Sequence, residues 1–210
     1  GFWSRDSRFE SSPGSQSRLV CIYLLGEFLF RAVSMSRNPR SPLAVVILAA
    51  GKGKRMKSEL PKVVFDLAGW PLIRHVLAAA APLSAKKTIA VTGHGRSLVD
   101  AALDGLDVET VLQREQKGTG HAVKCAERAL KGFDGDVLVL LGDVPLVRPA
   151  TLKKLLATHR RRRAAVTILT AEAPNPKGYG RVLRDGKGRV EAIREEKDAT
   201  AEERAVNEIN

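Results

Sequence analysis

Residues 44–50 of this 210-residue chain, Ala-Val-Val-Ile-Leu-Ala-Ala, form an unbroken apolar run that empties into a glycine-rich basic loop. The run is too short to span a bilayer, and its β-branched residues mark a strand buried on both faces. Such a strand needs cover on both sides, which points to a parallel sheet between layers of helices. The rest of the pattern agrees. Strands are predicted at 88–92, 108–112 and 137–141, alternating with helices at 71–81, 98–103, 119–130 and 151–159. The 71–81 helix has Pro71 in its first turn and Pro82 closing it. Residues 60–64 read as a stiff extended segment around Pro61. Later strands fall at 165–169, 182–183 and 190–193, the last two joined by Asp185, Gly186, Lys187 and Gly188, a hairpin signal. Alternating strands and helices specify a doubly wound α/β sandwich with a mostly parallel sheet.

The length allows one sizeable core plus a tail. Residues 44–210 are expected to be the folded domain and residues 1–43 an extension, disordered or extraneous. That stretch is rich in Ser, Arg and Pro apart from the apolar island 19–30, which is too short for a membrane span and contains Glu27. Polar and acidic residues before the island, and no small-residue cleavage site after it, argue against a signal peptide. Met35, just ahead of the first strand, looks like a natural start. A net charge of +12 suggests an anionic partner, nucleic acid or phosphorylated small molecules. The basic residues are scattered, however, and the few aromatics are not interleaved with them, so no nucleic-acid partner is expected. The block at 160–163 reads as a solvated helix end with cations on its negative pole. No membrane partner is expected. Cys21 and Cys125, far apart and without metal-type spacing, suggest a reducing compartment, the cytoplasm.

The chemistry gathers where strands end. Gly51 and Gly53 permit close backbone approach to a ligand, and Lys52, Lys54, Arg55 and Lys57 put four positive charges within six residues. This is a cradle for a polyphosphate at the exit of the first sheet strand; the bland alternative is an ordinary turn with a solvated basic face. Met56 stands where a Walker A loop or a dinucleotide fingerprint requires glycine, so neither applies. After the third strand, Gln113 and Gln116 offer paired donors and acceptors suited to a base edge. Gly118 and Gly120, opening a helix at Thr119, expose N–H groups to the same ligand; a capped loop is the alternative, and His121 is expected to pack rather than react. Asp143 follows a strongly apolar strand, and opposite a polyphosphate it would suit Mg²⁺, which takes one or two carboxylates plus phosphate oxygens. Lys62, held by Pro61, is a second cation for the phosphates or else a surface lysine.

These residues carry a resemblance. Leu48, Ala49, Ala50, Gly51, Gly53, Arg55 and Met56, followed by Leu60, Pro61 and Lys62, look like the signature of the sugar-phosphate nucleotidyltransferases, a Rossmann-like α/β fold. The chain most resembles the uridyltransferase half of the bacterial bifunctional N-acetylglucosamine-1-phosphate uridyltransferase/glucosamine-1-phosphate N-acetyltransferase family. The discriminating pieces are Gly93-His94-Gly95, Gln113-x-x-Gln116-x-Gly118-Thr119-Gly120-His121, Gly142-Asp143-Val144-Pro145, Gly178-Tyr179-Gly180-Arg181, Glu196-Lys197-Asp198 and Glu208-Ile209-Asn210, in family order.

The resemblance implies that the backbone of Leu48, Ala49, Ala50 and Gly51, with Arg55 and Lys62, holds a nucleoside triphosphate. Gln113, Gln116, Gly118 and Thr119 would read uracil, Asp143 would bind Mg²⁺, and Gly180, Glu195 and Asn210 would hold the amino-sugar. The implied reaction is attack of N-acetylglucosamine 1-phosphate on the α-phosphorus of UTP, giving UDP-N-acetylglucosamine, a peptidoglycan and lipopolysaccharide precursor, and pyrophosphate. Another base or sugar, or a non-catalytic nucleotide-binding piece, is the alternative. Lys54, Trp70 and Leu141 depart from the family pattern. A second metal-binding Asn, the last strands of the domain and the acetyltransferase half, through which family members are expected to trimerise, would lie beyond Asn210. The fold is therefore expected to be incomplete at its C-terminus and the chain as given to turn over little or not at all.

Overall fold

The structure, a computed structural model, describes residues 18–21, 41–53, 56 and 58–210. In chain order, β1 (Arg18–Cys21) is followed by β2 (Leu43–Ala49), a small hairpin of β3 (Asp66–Leu67) and β4 (Trp70–Pro71), then α1 (Leu72–Ala80), β5 (Lys87–Thr92) and α2 (Arg96–Ala102). Next come β6 (Glu109–Leu112), α3 (Thr119–Cys125), β7 (Asp136–Leu141), α4 (Pro149–Arg162), β8 (Val166–Ile168) and β9 (Ala171–Glu172). The described chain ends with β10 (Arg181–Arg184), β11 (Val190–Arg194), α5 (Ala201–Arg204) and β12 (Glu208–Ile209).

Six strands form one sheet in the order β6-β5-β2-β7-β1-β8, with every pairing parallel. β2 is buried along its whole length, and its side chains divide by parity. Leu43, Val45, Ile47 and Ala49 pack with Ile73 and Val76 of α1, Val99 of α2 and Leu152 and Leu156 of α4. Ala44, Val46 and Leu48 pack on the opposite face with Ile89, Val91 and Ala122 of α3. Two buried faces are what the apolar run required, and full burial of each Val, Leu or Ile side chain contributes about 1.5–3 kcal/mol.

From β2 the chain crosses to β5 and β6 on one side of the sheet and then returns to β7 on the other. The order of strands therefore reverses between β2 and β7, and an open α/β sheet has its crevice at the carboxyl ends of the strands at such a reversal. At the opposite edge of the sheet, Arg160 near the end of α4 donates from Nε to Asp136 Oδ2 at 2.7 Å and from Nη2 to the Ser41 carbonyl at 2.7 Å. His159 Nδ1 lies 2.9 Å from Thr167 Oγ1, and both Asp136 and His159 are fully buried. A second sheet, β11-β10-β12-β9, is antiparallel, and Asp185 Oδ1 accepts from the N–H groups of Lys187 and Arg189 in its β10–β11 turn. Among the described residues no helix is long and apolar enough to cross a membrane.

The structure corrects four expectations. Arg18–Cys21, within the stretch expected to lie outside the fold, forms β1 and pairs with both β7 and β8 through backbone groups that composition does not reveal. Residues 62–64 are a 3₁₀ turn rather than extended, with only Pro61 before them in an extended conformation. The helix expected at 119–130 closes at Cys125, and turns with mixed i−3 and i−4 bonds carry the chain on to Leu130. Arg160, read as part of a solvated helix end, anchors α4 to the start of β7, because a buried carboxylate there needs a cation. Met35 lies outside the described residues.

Candidate active site

The loops leaving β2, β5, β6 and β7 lie side by side along the carboxyl edge of the sheet. Those after β2 and β7 are joined directly: the Gly142 N–H donates to the Leu48 carbonyl at 2.9 Å. A Cβ at Gly142 would stand 3.1 Å from that oxygen and from Val63 Cγ1, a tight fit for any side chain. Residues 51–53 and Asp143 consequently occupy one end of two neighbouring strands.

Lys62 is held in this crevice from several directions. Pro61 before it presses on Gly95, whose φ of +61° and lack of a side chain admit the ring; a Cβ there would lie 2.2 Å from Pro61 Cγ. Gly53, at φ +59°, lies over the Lys62 side chain, where a Cβ would come within 2.9 Å of Lys62 Cβ. Val63, next in the chain, is buried. Only the end of the lysine side chain is left free to choose its position, and Nζ donates to Asp143 Oδ2 at 2.9 Å. The two side chains are 39% and 31% exposed, so this pair is open to an incoming ligand.

At the exit of β6, Gln113 is buried, and its backbone N–H donates to the Thr92 carbonyl of β5. Its side-chain Nε2 donates to the Gly118 carbonyl at 3.1 Å and stands 2.9 Å from His121 Nδ1. A carbonyl can only accept, so the amide nitrogen must face it. The second N–H then points at His121 Nδ1, which must accept, leaving the imidazole proton on Nε2. Among the described residues no hydrogen bond reaches the amide oxygen of Gln113, which is left to accept from a ligand. Gln116 is exposed in the same loop, beside the Glu115–Lys117 pair, where the Lys117 ammonium holds the Glu115 carboxyl below its ordinary range. Gly118, at φ +97°, precedes α3, and Thr119 opens that helix without a side-chain cap.

A second group forms on the antiparallel sheet. The Asn210 N–H donates to the Gly180 carbonyl at 3.3 Å, and a Cβ on Gly180 would stand 2.5 Å from Asn210 Oδ1. Arg181, buried beside them, donates to the Tyr179 carbonyl and to the Arg204 carbonyl, and lies 3.7 Å from Glu196. Glu196 also accepts from the Gly178 N–H. Glu195 follows β11 directly and caps the 3₁₀ turn at Glu196–Asp198 through its carbonyl.

Of the residues singled out from sequence, the fold brings Leu48, Ala49, Ala50, Gly51, Lys62 and Asp143 to one crevice, with Gln113, Gln116, Gly118 and Thr119 on the loop two strands away. Gly180 and Asn210 adjoin each other on the second sheet. Arg55 and Lys54 lie outside the described residues. Sequence reasoning missed the lock between His121 and Gln113, the clamp of Gly95 on Pro61 and the anchoring role of Glu196. The first two motifs were visible as strings; only the fold shows which residue each presses on. Among the described residues no cluster of three or more His, Cys, Asp or Glu side chains is placed to hold a metal. The Asp143 carboxylate in the crevice already faces a cation, which suits an ion that completes its shell from phosphate oxygens and water.

Comparison with known proteins gives the family and the fold. The pattern defining the MobA-like NTP transferase domain matches residues 45–206. The chain is 52% identical over 168 residues to the bifunctional protein GlmU of Syntrophotalea carbinolica, covering 80% of this chain and 36% of that protein. It is 54% identical over 169 residues to GlmU of Pelobacter propionicus, covering 80% and 37%. The chain thus spans a little over a third of the length of these curated relatives. Among solved structures, a UDP-glucose pyrophosphorylase complexed with UDP-glucose shares the fold, with TM-score 0.59 and 21% identity over 80% of this chain and 73% of that one.

Proposed function

Since the chain belongs to the MobA-like NTP transferase family, a nucleotidyltransferase fold, we propose that its crevice takes UTP and N-acetylglucosamine 1-phosphate and forms UDP-N-acetylglucosamine with release of pyrophosphate. The observation that carries this reading is the pairing of Lys62 with Asp143 across the strand-order reversal, beside the glycine backbone of residues 51–53. The backbone N–H groups of that loop hold the triphosphate, and Lys62 neutralises charge on the departing pyrophosphate. Arg55, outside the described residues, is assigned to the phosphates by the resemblance alone.

The amide oxygen of Gln113 accepts from the imino N–H of uracil, and Gln116 and the backbone of Gly118 and Thr119 complete the base edge. Gly180, Glu195 and Asn210 hold the sugar so that its phosphate oxygen lies in line with the α-phosphorus. No residue becomes covalently attached to substrate; the rate comes from alignment and from charge stabilisation. Asp143 would hold Mg²⁺, which when bound supplies Lewis-acid stabilisation of phosphate charge. The similarity to bifunctional proteins GlmU supports sugar-phosphate nucleotidyl transfer, and the amino-sugar follows from the motif resemblance.

Competition between the four nucleoside triphosphates for a fluorescent nucleotide, in the presence of Mg²⁺, tests the reading. UTP should displace the probe at the lowest concentration, by at least about tenfold, equivalent to 1.4 kcal/mol. Equal displacement by all four, or preference for another base, would assign the crevice to a different nucleotidyl transfer.

A further inference from the structure

The ion pair in the crevice has a consequence for how the site loads. Asp143 leaves β7 beside the glycine loop, and its Oδ2 accepts from the Lys62 ammonium at 2.9 Å. Among the described residues no group of three or more metal-ligating side chains surrounds it. A divalent cation arriving alone would gain one monodentate carboxylate and a partial water shell, and it would have to displace an ammonium already in contact. Mg²⁺ sheds water reluctantly and binds well where phosphates supply further oxygens. The backbone of Lys62 cannot retreat to make room, because Gly95 backs Pro61, Gly53 lies on the Lys62 Cβ and Val63 is buried. The four-carbon stem can pivot, however, and a triphosphate seated on residues 51–53 would place several anionic oxygens within its reach.

We infer that Lys62 is a built-in counter-ion for Asp143, and that a divalent cation takes its place only as the triphosphate draws the ammonium onto its own oxygens, so that metal and nucleotide load together. The inference rests on the reading of this crevice as a triphosphate site. It makes Lys62 a two-position residue: in the free protein it neutralises the carboxylate, and in the complex it neutralises phosphate. The coupling is reciprocal, so whatever factor the nucleotide adds to metal affinity the metal adds to nucleotide affinity. Removing the ammonium should leave Asp143 uncompensated and raise its affinity for a cation in the absence of nucleotide. For a pair this exposed the gain should be about fivefold.

The test is a Mn²⁺ titration of the nucleotide-free protein, followed by the electron paramagnetic resonance signal of free Mn²⁺. It compares wild type, Lys62→Met, Lys62→Arg and Asp143→Asn, each checked for a cooperative melt, with Lys62→Gln in reserve should the Met variant fail to fold. The expected result is weak Mn²⁺ binding by wild type and Lys62→Arg, about fivefold tighter binding by Lys62→Met and none by Asp143→Asn. A second arm repeats the titration with a non-hydrolysable UTP analogue, which should tighten Mn²⁺ binding by a larger factor in wild type than in Lys62→Met. Wild type binding Mn²⁺ as tightly as Lys62→Met without nucleotide would overturn the counter-ion role. Equal tightening in both proteins would overturn the coupling. Absence of any UTP-analogue binding, measured with Mg²⁺ present by probe displacement, would instead overturn the triphosphate site itself, while the first arm would still decide whether Lys62 competes for Asp143.

Discussion

Gly95→Ala is a small change aimed at the clamp behind Lys62. Gly95 has φ +61°, a region that costs a residue with a Cβ about 1–2 kcal/mol. The added Cβ would also lie 2.2 Å from Pro61 Cγ and 2.9 Å from Cδ. Carbon atoms rest about 3.5–4.0 Å apart, and the pyrrolidine ring cannot rotate away, so Pro61 must move bodily and take Lys62 with it. Overpacking of this kind adds about 1–3 kcal/mol. Gly105→Ala is the matched control, with φ +75° and nothing within 4 Å of the new Cβ. Urea denaturation should find Gly105→Ala less stable by the backbone cost alone and Gly95→Ala worse by a further 1–3 kcal/mol or so. Nucleotide displacement at a urea-free baseline should weaken in Gly95→Ala and not in Gly105→Ala. Equal midpoints and equal nucleotide affinity in the two variants would refute the idea that Gly95 and Pro61 set the position of Lys62.

Replacing His121 by Phe removes one of the two acceptors that orient the Gln113 amide, and UTP displacement should weaken about fivefold, the value of one neutral hydrogen bond; His121→Asn, which keeps an acceptor near Nδ1, should restore most of it. Asp136→Ala strips the partner from Arg160 at the far edge of the sheet and should cost about 3 kcal/mol in chemical denaturation while leaving nucleotide selectivity unchanged. The Arg184 guanidinium, paired with both oxygens of Glu208, holds that carboxyl below its ordinary value of 4.5. A carboxyl with a depressed value stabilises the fold above that ordinary value and loses the effect as pH falls through its lower folded value. Glu208→Gln should therefore lower stability by about 0.5–1 kcal/mol at neutral pH, and the gap between the variant and wild type should close in acid melts below pH 4.5.

Much of the architecture could be read from residues 44–50 and the apolar runs that follow, because burial on both faces of a strand leaves a signature in composition alone. The parity of β2, with Val45 and Ile47 facing α1 and α4 and Val46 and Leu48 facing α3, is the physical content of that run. Contacts between distant segments were harder to see. Lys62 and Asp143 stand 81 residues apart in sequence, and nothing local to either indicates that they touch; the pairing of β2 with β7 brings them together. Arg160 looked like one solvated arginine among four, since the carboxylate that claims it belongs to another strand. Arg18–Cys21 carried too short an apolar signal, next to Ser- and Arg-rich sequence, to be assigned to the sheet, and its place follows from two neighbouring strands. The 3₁₀ turn at 62–64 was hidden behind Pro61, whose extended conformation was read into the residues after it.

The measurement that bears most directly on the account is paramagnetic broadening of backbone amide resonances by Mn²⁺ and UTP added together. A triphosphate held between the glycine loop and the carboxylate that follows β7 predicts that Gly51, Gly53, Gly142 and Asp143 lose intensity first, while Gly135, packed on Pro42 at the opposite edge of the sheet, keeps it. Broadening that spares Gly51 and Asp143, or that centres on the far edge near Gly135, would contradict it.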